Sequence, residues 1–267
     1  MFSGQRILLT GASYGIGEAL ARELARAGAR LVLTARSEER LARLAEELRR
    51  SGADVVAVPA DITVPGDRLR LVQETVRSLG GLDVLINNAG VGASGYFQEG
   101  KAETLRQIME VNFFGPVELT RLCLPELLRG RRAMLVNIAS VIGRRAVPGY
   151  SDYCASKFAL CGWSEALRAE LAPQGVHVLL VNPGLIETPF RDHLLEDRLH
   201  SRGRRRRAMS AQRCARLIAE AMRRRQNEVV ITWDGKLLLW LNRLAPPLVD
   251  WLLARYADRQ LRTQPGP

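Results

Sequence analysis

Seven short apolar runs, bounded by turn residues and separated by stretches of helical periodicity, constrain this chain more than any other feature: RILLT, RLVLT, DVVAVPA, DVLINN, AMLVNIAS, VHVLLVN and EVVIT. Their apolarity is continuous rather than alternating, so both faces of each strand must be covered. Strands of that kind, alternating with helices, build an α/β fold: a Rossmann-like, doubly wound parallel sheet of about seven strands with helices on both faces.

The best-marked helix follows the second run, in SEERLARLAEELRRSG. Ser37 stands at the N-cap, Glu38 and Glu39 fill the first turn, and Leu41, Leu44 and Leu48 form one stripe; Arg49 and Arg50 then meet the negative helix end ahead of Gly52. A length of 267 residues suits one such sheet, and no linker, repeat or low-complexity stretch marks a second core. We expect one domain over residues 1–235. An apolar tail over residues 236–267, broken at Pro246 and Pro247, is expected to pack on the same domain. Its Trp240, Trp251 and Tyr256 are amphipathic anchors, so a membrane surface or a partner subunit is a second reading of that tail.

A hydrophobic share of 47% and a charged share of 25% exclude general disorder. The net charge of +11 comes from 39 basic residues, of which only Lys101, Lys157 and Lys236 are lysine. The sharpest cluster, Arg202 to Arg207 in SRGRRRRAMS, has no interleaved aromatic side chains, which argues against nucleic acid. A solvated loop, an anionic substrate and an acidic lipid surface all remain open for it. Cys123, Cys154, Cys161 and Cys214 show neither Cys-x-x-Cys pairing nor metal spacing with His177, His193 or His200, so we expect no metal and no disulfide framework. With no signal peptide and no apolar segment of membrane-spanning length, the expected location is cytoplasmic.

The first strand runs into Thr10-Gly11-Ala12-Ser13-Tyr14-Gly15-Ile16-Gly17, and a helical stripe of Ile16, Leu20 and Leu24 follows. Glycines let a backbone pass close to a ligand, and a helix N-terminus aims amides and a positive dipole end at a pyrophosphate. Farther along, YSDYCASKFAL places Tyr153 and Lys157 four residues apart, on one face of a helix. A free phenol, with a pKa of about 10, is a poor acid–base catalyst near neutrality, and a neighbouring ammonium favours its ionised form. Tyr150 lacks such a partner.

The turn has the spacing Thr-Gly-x-x-x-Gly-x-Gly. With Asn87-Asn88-Ala89-Gly90, Asn112, Ser140, Tyr153-x-x-x-Lys157 and Pro183-Gly184 in the same order, the chain resembles the short-chain dehydrogenase/reductase family over roughly residues 5 to 190. The resemblance implies an NAD(P)-dependent oxidoreductase that interconverts a carbonyl and an alcohol by hydride transfer, with residues 1–235 as its dinucleotide-binding and catalytic domain and a substrate lid at about 188–210. Tyr153 would be the general acid/base, Ser140 would hold the substrate oxygen, and Lys157 would tune the tyrosine and bind the nicotinamide ribose. Asn112 would fix a water linking Lys157 to solvent. The cofactor would lie against Gly11, Ser13, Tyr14, Gly15, Ile16, Gly17, Asn88, Ala89, Gly90, Tyr153, Lys157, Pro183, Gly184 and Thr188, with Asp61 and Ile62 lining the adenine.

At the end of the second strand, Ala35 stands where NAD-selective relatives carry Asp, and Arg36 follows. A guanidinium there can fork onto a 2′-phosphate, so NADP(H) is the favoured cofactor; NAD(H), with Glu38 or Glu39 on the ribose, is the alternative. The substrate is expected to be a small carbonyl or alcohol, lipophilic in view of the tail. The helix carrying Phe158, Leu160, Trp163 and Leu167 implies, by resemblance, a homodimer or homotetramer. The competing functional classes are a nucleotide-binding sensor or scaffold, and a membrane-surface-associated protein of the same fold.

Overall fold

The computed structural model describes residues 2–199 and 208–263. The arginine run Arg202–Arg207 and residues 264–267 lie outside them. In chain order the main elements are β1 (Arg6–Thr10), α1 (Gly15–Arg26), β2 (Arg30–Thr34), α2 (Glu38–Arg50), β3 (Val55–Ala57), α3 (Pro65–Leu79) and β4 (Val84–Asn87). There follow α4 (Ala102–Met109), α5 (Gly115–Leu128), β5 (Met134–Ile138), α6 (Ser151–Leu171), β6 (His177–Asn182), β7 (Ile186–Glu187), β8 (Met209–Ser210), α7 (Ala211–Arg223), β9 (Glu228–Val230), α8 (Trp233–Leu244) and α9 (Pro246–Thr263).

The described residues form a seven-stranded sheet in the order β3-β2-β1-β4-β5-β6-β9, parallel throughout. Each of its strands coincides with one of the seven apolar runs. Alternation within a strand divides the core in two. Ile7, Leu9, Leu31, Leu33, Ile86 and Val136 point to one side, where they meet Leu20 and Leu24 of α1, Leu41 and Leu44 of α2, and Ile218 and Met222 of α7. Leu8, Val32, Leu85, Leu135 and Val178 point to the other, against Leu71 of α3, Leu119 and Leu127 of α5, and Leu171 of α6. This double coverage is why the strands are apolar at every position.

Two features escaped the sequence. A second, two-stranded sheet pairs Ile186–Glu187 with Met209–Ser210 and brackets the base of the expected lid; strands of two residues carry no detectable period. Between α4 and α5 the backbone widens into one π-helical stretch, Glu110–Phe114, which contains Asn112. Such bulges have no compositional signature and are common at functional sites.

A buried polar ladder crosses the sheet toward α6. Asn87 and Asn137, in register on β4 and β5, are joined by a hydrogen bond from Asn87 Nδ2 to Asn137 Oδ1 of 2.9 Å. Asn87 Nδ2 also donates to Thr120 Oγ1 on α5, and Asn137 Nδ2 donates to Ser164 Oγ on α6 at 2.8 Å. In a low-dielectric interior these bonds fix both the register and the rotation of α6, because each broken bond strands a buried polar group. Asn137→Ala is therefore expected to destabilise the protein by about 1–3 kcal/mol, measured by denaturant unfolding; an unchanged midpoint would contradict this role for the ladder.

Candidate active site

Parallel register brings the C-terminal end of β1 beside that of β4, and Thr10 laces the two together. Its Oγ1 accepts from the backbone N–H groups of Asn88 and Ala89, each at 3.0 Å, and donates to Ile86 O. Asn88 Nδ2 returns two bonds, to Thr10 O at 2.9 Å and Gly11 O at 3.0 Å. Gly11 and Gly15 hold φ of 66° and 62°, a region that favours glycine. A Cβ at Gly17 would overlap the Gly11 carbonyl oxygen and come within 2.5 Å of Asn88 Nδ2, so only glycine lets α1 start this close to the turn. Tyr14 occupies the N-cap of α1 without a side-chain cap bond. Ser13 and Tyr14 lie in the turn and Ile16 in the first turn of α1, where a helix N-terminus presents amides without intrahelical partners.

The Tyr153 side of the crevice is built from α6, the end of β5 and the loop after β4. Lys157 is 3% exposed; its Nζ donates to Ile138 O at 3.0 Å and lies 5.7 Å from the centroid of the Tyr153 ring. A Cβ at Gly90 would come within 3.6 Å of that ammonium and 3.2 Å of Asn112 Oδ1. Burial lowers the Lys157 amine to about 8, against a smaller opposing influence of Cys161. Burial also raises the Tyr153 phenol, and the Cys154 thiol adds to this, while a hydrogen bond with Ser140 pulls the other way. The expected depression of the phenol by Lys157 is not seen: the influences on Tyr153 come from burial, Cys154 and Ser140, and desolvation, the largest, favours the protonated phenol.

Ser140 caps a short 3₁₀ turn, accepting from Ile142 N, and its hydroxyl donates to Pro183 O at 3.4 Å. Asn112 is fully buried: Oδ1 accepts from Val91 N at 2.8 Å, and Nδ2 donates to Val91 O and Ser156 Oγ, each at 2.9 Å. Both amide donors are therefore engaged by protein, and the side chain clamps the π-helical stretch to the β4 loop and α6. Gly184 follows Pro183 where a Cβ would overlap Thr232 Oγ1.

Where the adenosine is expected, Asp61 Oδ1 accepts from Thr63 N and Thr63 Oγ1 at 2.9 and 2.7 Å. The Ile62 side chain is buried with Leu71 and Leu119, and its carbonyl oxygen accepts from Arg68 Nη1 at 2.7 Å. Arg36 is exposed, and among the described residues neither it nor Arg40 carries an ion pair to a carboxylate. Both guanidiniums lower the Tyr14 phenol, against the larger effect of burial, which raises it.

Sequence reasoning missed Arg40, His193 and Phe190, whereas Thr188 was among the expected cofactor residues. Arg40 Nη1 lies 3.4 Å from His193 Nε2, and the His193 ring stands 5.0 Å from that of Tyr14, so the segment after β7 reaches both α2 and the glycine turn. Phe190 packs its ring 5.8 Å from Tyr153. Thr188 accepts from Phe190 N and sits directly over Gly15, 3.1 Å from where a Cβ there would stand. These contacts join segments far apart in the chain, and no local spacing announces them. Of the four apolar residues singled out on α6, Leu160 belongs to the internal core and Trp163 packs edge-on against Phe113 at 6.4 Å, while Phe158 is exposed.

Gly17→Ala is expected to cost about 1–3 kcal/mol of stability through overpacking and to weaken dinucleotide binding. Gly66→Ala, where a Cβ would meet nothing within 4 Å, should change stability by less than ~1 kcal/mol. Thermal unfolding of both variants, with and without dinucleotide, checks the contrast; equal effects would show that the turn tolerates a side chain.

Known proteins share this arrangement. The family model described as short chain dehydrogenase matches residues 5–199. An Arabidopsis thaliana protein, 11-beta-hydroxysteroid dehydrogenase-like 4A, is 36% identical over 249 residues, covering 92% of this chain and 83% of its own length. A short chain dehydrogenase/reductase from Burkholderia phymatum, solved in complex with NAD, superposes with a TM-score of 0.79 at 27% identity over 100% of this chain and 98% of that one. A short chain dehydrogenase from Burkholderia cenocepacia J2315, in complex with NADP, gives 0.75 at 28% identity over 86% of this chain and 97% of its own. A doubly wound sheet with a glycine cradle at its carboxyl edge, matched across most of its length by these proteins, makes this chain an oxidoreductase of the short-chain dehydrogenase/reductase family.

Proposed function

We propose that this oxidoreductase interconverts a small, lipophilic carbonyl and its alcohol with NADP(H), using Tyr153 as general acid/base. The observation that carries the reading is the convergence of Tyr153, Ser140 and the buried Lys157 beside the glycine cradle. The cradle fits a dinucleotide because glycine at 11, 15 and 17 lets the turn close on Ala89, Thr188 and the Gly11 carbonyl and brings the N-terminus of α1 to the carboxyl edge of the sheet, and the nicotinamide, when bound, would supply or accept the hydride.

Within this reading each side chain has a separate task. Ser140 holds the substrate oxygen against the Tyr153 hydroxyl and stabilises the charge that develops there. Tyr153, its pKa raised by burial, keeps its proton until the oxygen takes it, which suits reduction. Lys157 returns positive charge to the phenolate left behind and offers its remaining N–H donors to the nicotinamide ribose. Asn112 positions rather than reacts, because its clamp on Val91 and Ser156 holds the loop and helix that frame Lys157. Phe190 covers one side of Tyr153 and keeps water from the proton-transfer path. Pro183, Gly184 and Thr188 would border the nicotinamide, and Asn88, Ala89 and Gly90 its ribose.

Arg36 supports the NADP(H) preference because it presents a guanidinium without a carboxylate partner beside Tyr14, and Arg40 adds a second. Glu39 reaches Arg43 at 3.4 Å, which favours a helix-surface role for it over ribose binding. The relative named for a hydroxysteroid dehydrogenase supports a lipophilic substrate. Exposed Phe114, Leu122 and Phe158 on or beside α5 and α6 suit a homo-oligomer.

Tyr153→Phe should abolish turnover, a loss of at least about 1,000-fold, while leaving NADPH binding nearly intact by fluorescence titration. Tyr150→Phe should stay within a few-fold of the parent enzyme. Comparable losses in the two variants, on a panel of ketones and aldehydes followed through NADPH absorbance, would contradict the assignment. Arg36→Asp should shift the NADPH/NADH ratio of kcat/KM toward NADH by about 100-fold; an unmoved ratio would remove Arg36 from the 2′-phosphate site.

A further inference from the structure

Half of the exposed large apolar side chains among the described residues, nine of eighteen, fall between Trp233 and Leu261. They are ordered. On α8, Trp233, Leu237, Trp240 and Leu244 recur at helical spacing, within an arc of roughly 60° at 100° per residue. On α9, Leu248, Leu252 and Tyr256 lie one turn apart, with Trp251 beside them. Trp233 is 76% exposed and Trp240 58%. The tail meets the body elsewhere, through buried Gly235 and Val249, an Arg145–Asp250 ion pair, and a bond from the Tyr96 hydroxyl to Ala257 O at 3.4 Å. Amphipathic helices normally turn such stripes toward a core; these two are turned away from it.

The charges select the occupant. Lys236 and Arg243 flank the α8 stripe on one side, and Arg255 and Arg259 lie within the arc of α9, where the Arg255 guanidinium stacks over Trp251 at 4.7 Å. Against these cations the two helices carry Asp234, Asp250 and Asp258, of which Asp250 is held by Arg145. The whole chain carries +11. The geometry points to an acidic phospholipid surface as the partner of the α8–α9 face. Indoles and a phenol settle at the headgroup boundary, leucines enter the acyl region, and guanidiniums bind phosphate above them. A second copy of this chain is the poorer fit, since a two-fold contact through this face would set like cations opposite one another. No helix among the described residues is long and apolar enough to cross a membrane, so α8 and α9 lie along the surface. The contact at Tyr96, in the loop after β4, sets this surface on the substrate side of the crevice.

Flotation of the full chain with vesicles, without cofactor or substrate, tests the assignment independently of the catalytic reading. The protein should rise with phosphatidylcholine vesicles containing roughly a third phosphatidylserine and be released at high salt, with a blue shift of tryptophan emission on binding. The double variant Trp240→Glu, Trp251→Glu should bind at least about tenfold more weakly, with unchanged circular dichroism and NADPH binding. Wild-type protein that stays at the bottom with acidic vesicles would overturn the proposal. So would a double variant that floats like the parent, or a dimer in sedimentation equilibrium that the double variant dissociates.

Discussion

An ammonium group buried among apolar side chains is costly, and the site is arranged around one. Lys157 projects from α6 toward the carboxyl edge of the sheet, where Ile138 O receives one of its protons. The surrounding elements must close on it without adding bulk. Gly90 approaches from the β4 loop and Gly143 packs against its backbone and Cβ, at positions where any side chain would intrude. The polar ladder through Asn87, Asn137 and Ser164 sets the rotation of α6, and Asn112 ties the same helix, through Ser156, to the loop carrying Gly90. Because solvent is excluded, the charge of Lys157 acts at full strength on whatever anion forms beside it.

The sequence was most legible where its signals are local. Buried parallel strands declare themselves by continuous apolarity, and the glycine turn by a spacing that backbone conformation demands at Gly11 and Gly15. α6 was recognisable because Tyr153 and Lys157 already required a helical face. The exposed guanidinium of Arg36 could be located too, two residues after β2 ends. What stayed hidden depends on long-range closure. His193 meets Arg40 across a separation of 153 residues, and Thr232 reaches Gly184 only because β9 joins the sheet beside β6. The π-helical stretch at Asn112 was invisible for a different reason: it differs from an α-helix by one added residue in a turn, a difference that composition does not record.

Charge is distributed with similar economy. Most of the arginines on α1, α2 and α3 engage nearby glutamates or aspartates at helical spacing, as in Arg22–Glu18 and Arg70–Asp67, and such exposed pairs add little to stability. Arg68, whose guanidinium donates to Ile62 O, and Arg40, with Arg36 just ahead of α2, have no ion pair to a carboxylate among the described residues.

The contact between Gly184 and Thr232 joins the tail to the loop that follows β6. Thr232 is buried, and its hydroxyl accepts from Gly235 N to begin α8, while its side chain rests against the peptide that follows Pro183. The residue that launches the tail is thus the floor of the loop at the end of β6. Position 232 therefore ties the start of the tail to the backbone one peptide from the carbonyl that accepts from Ser140.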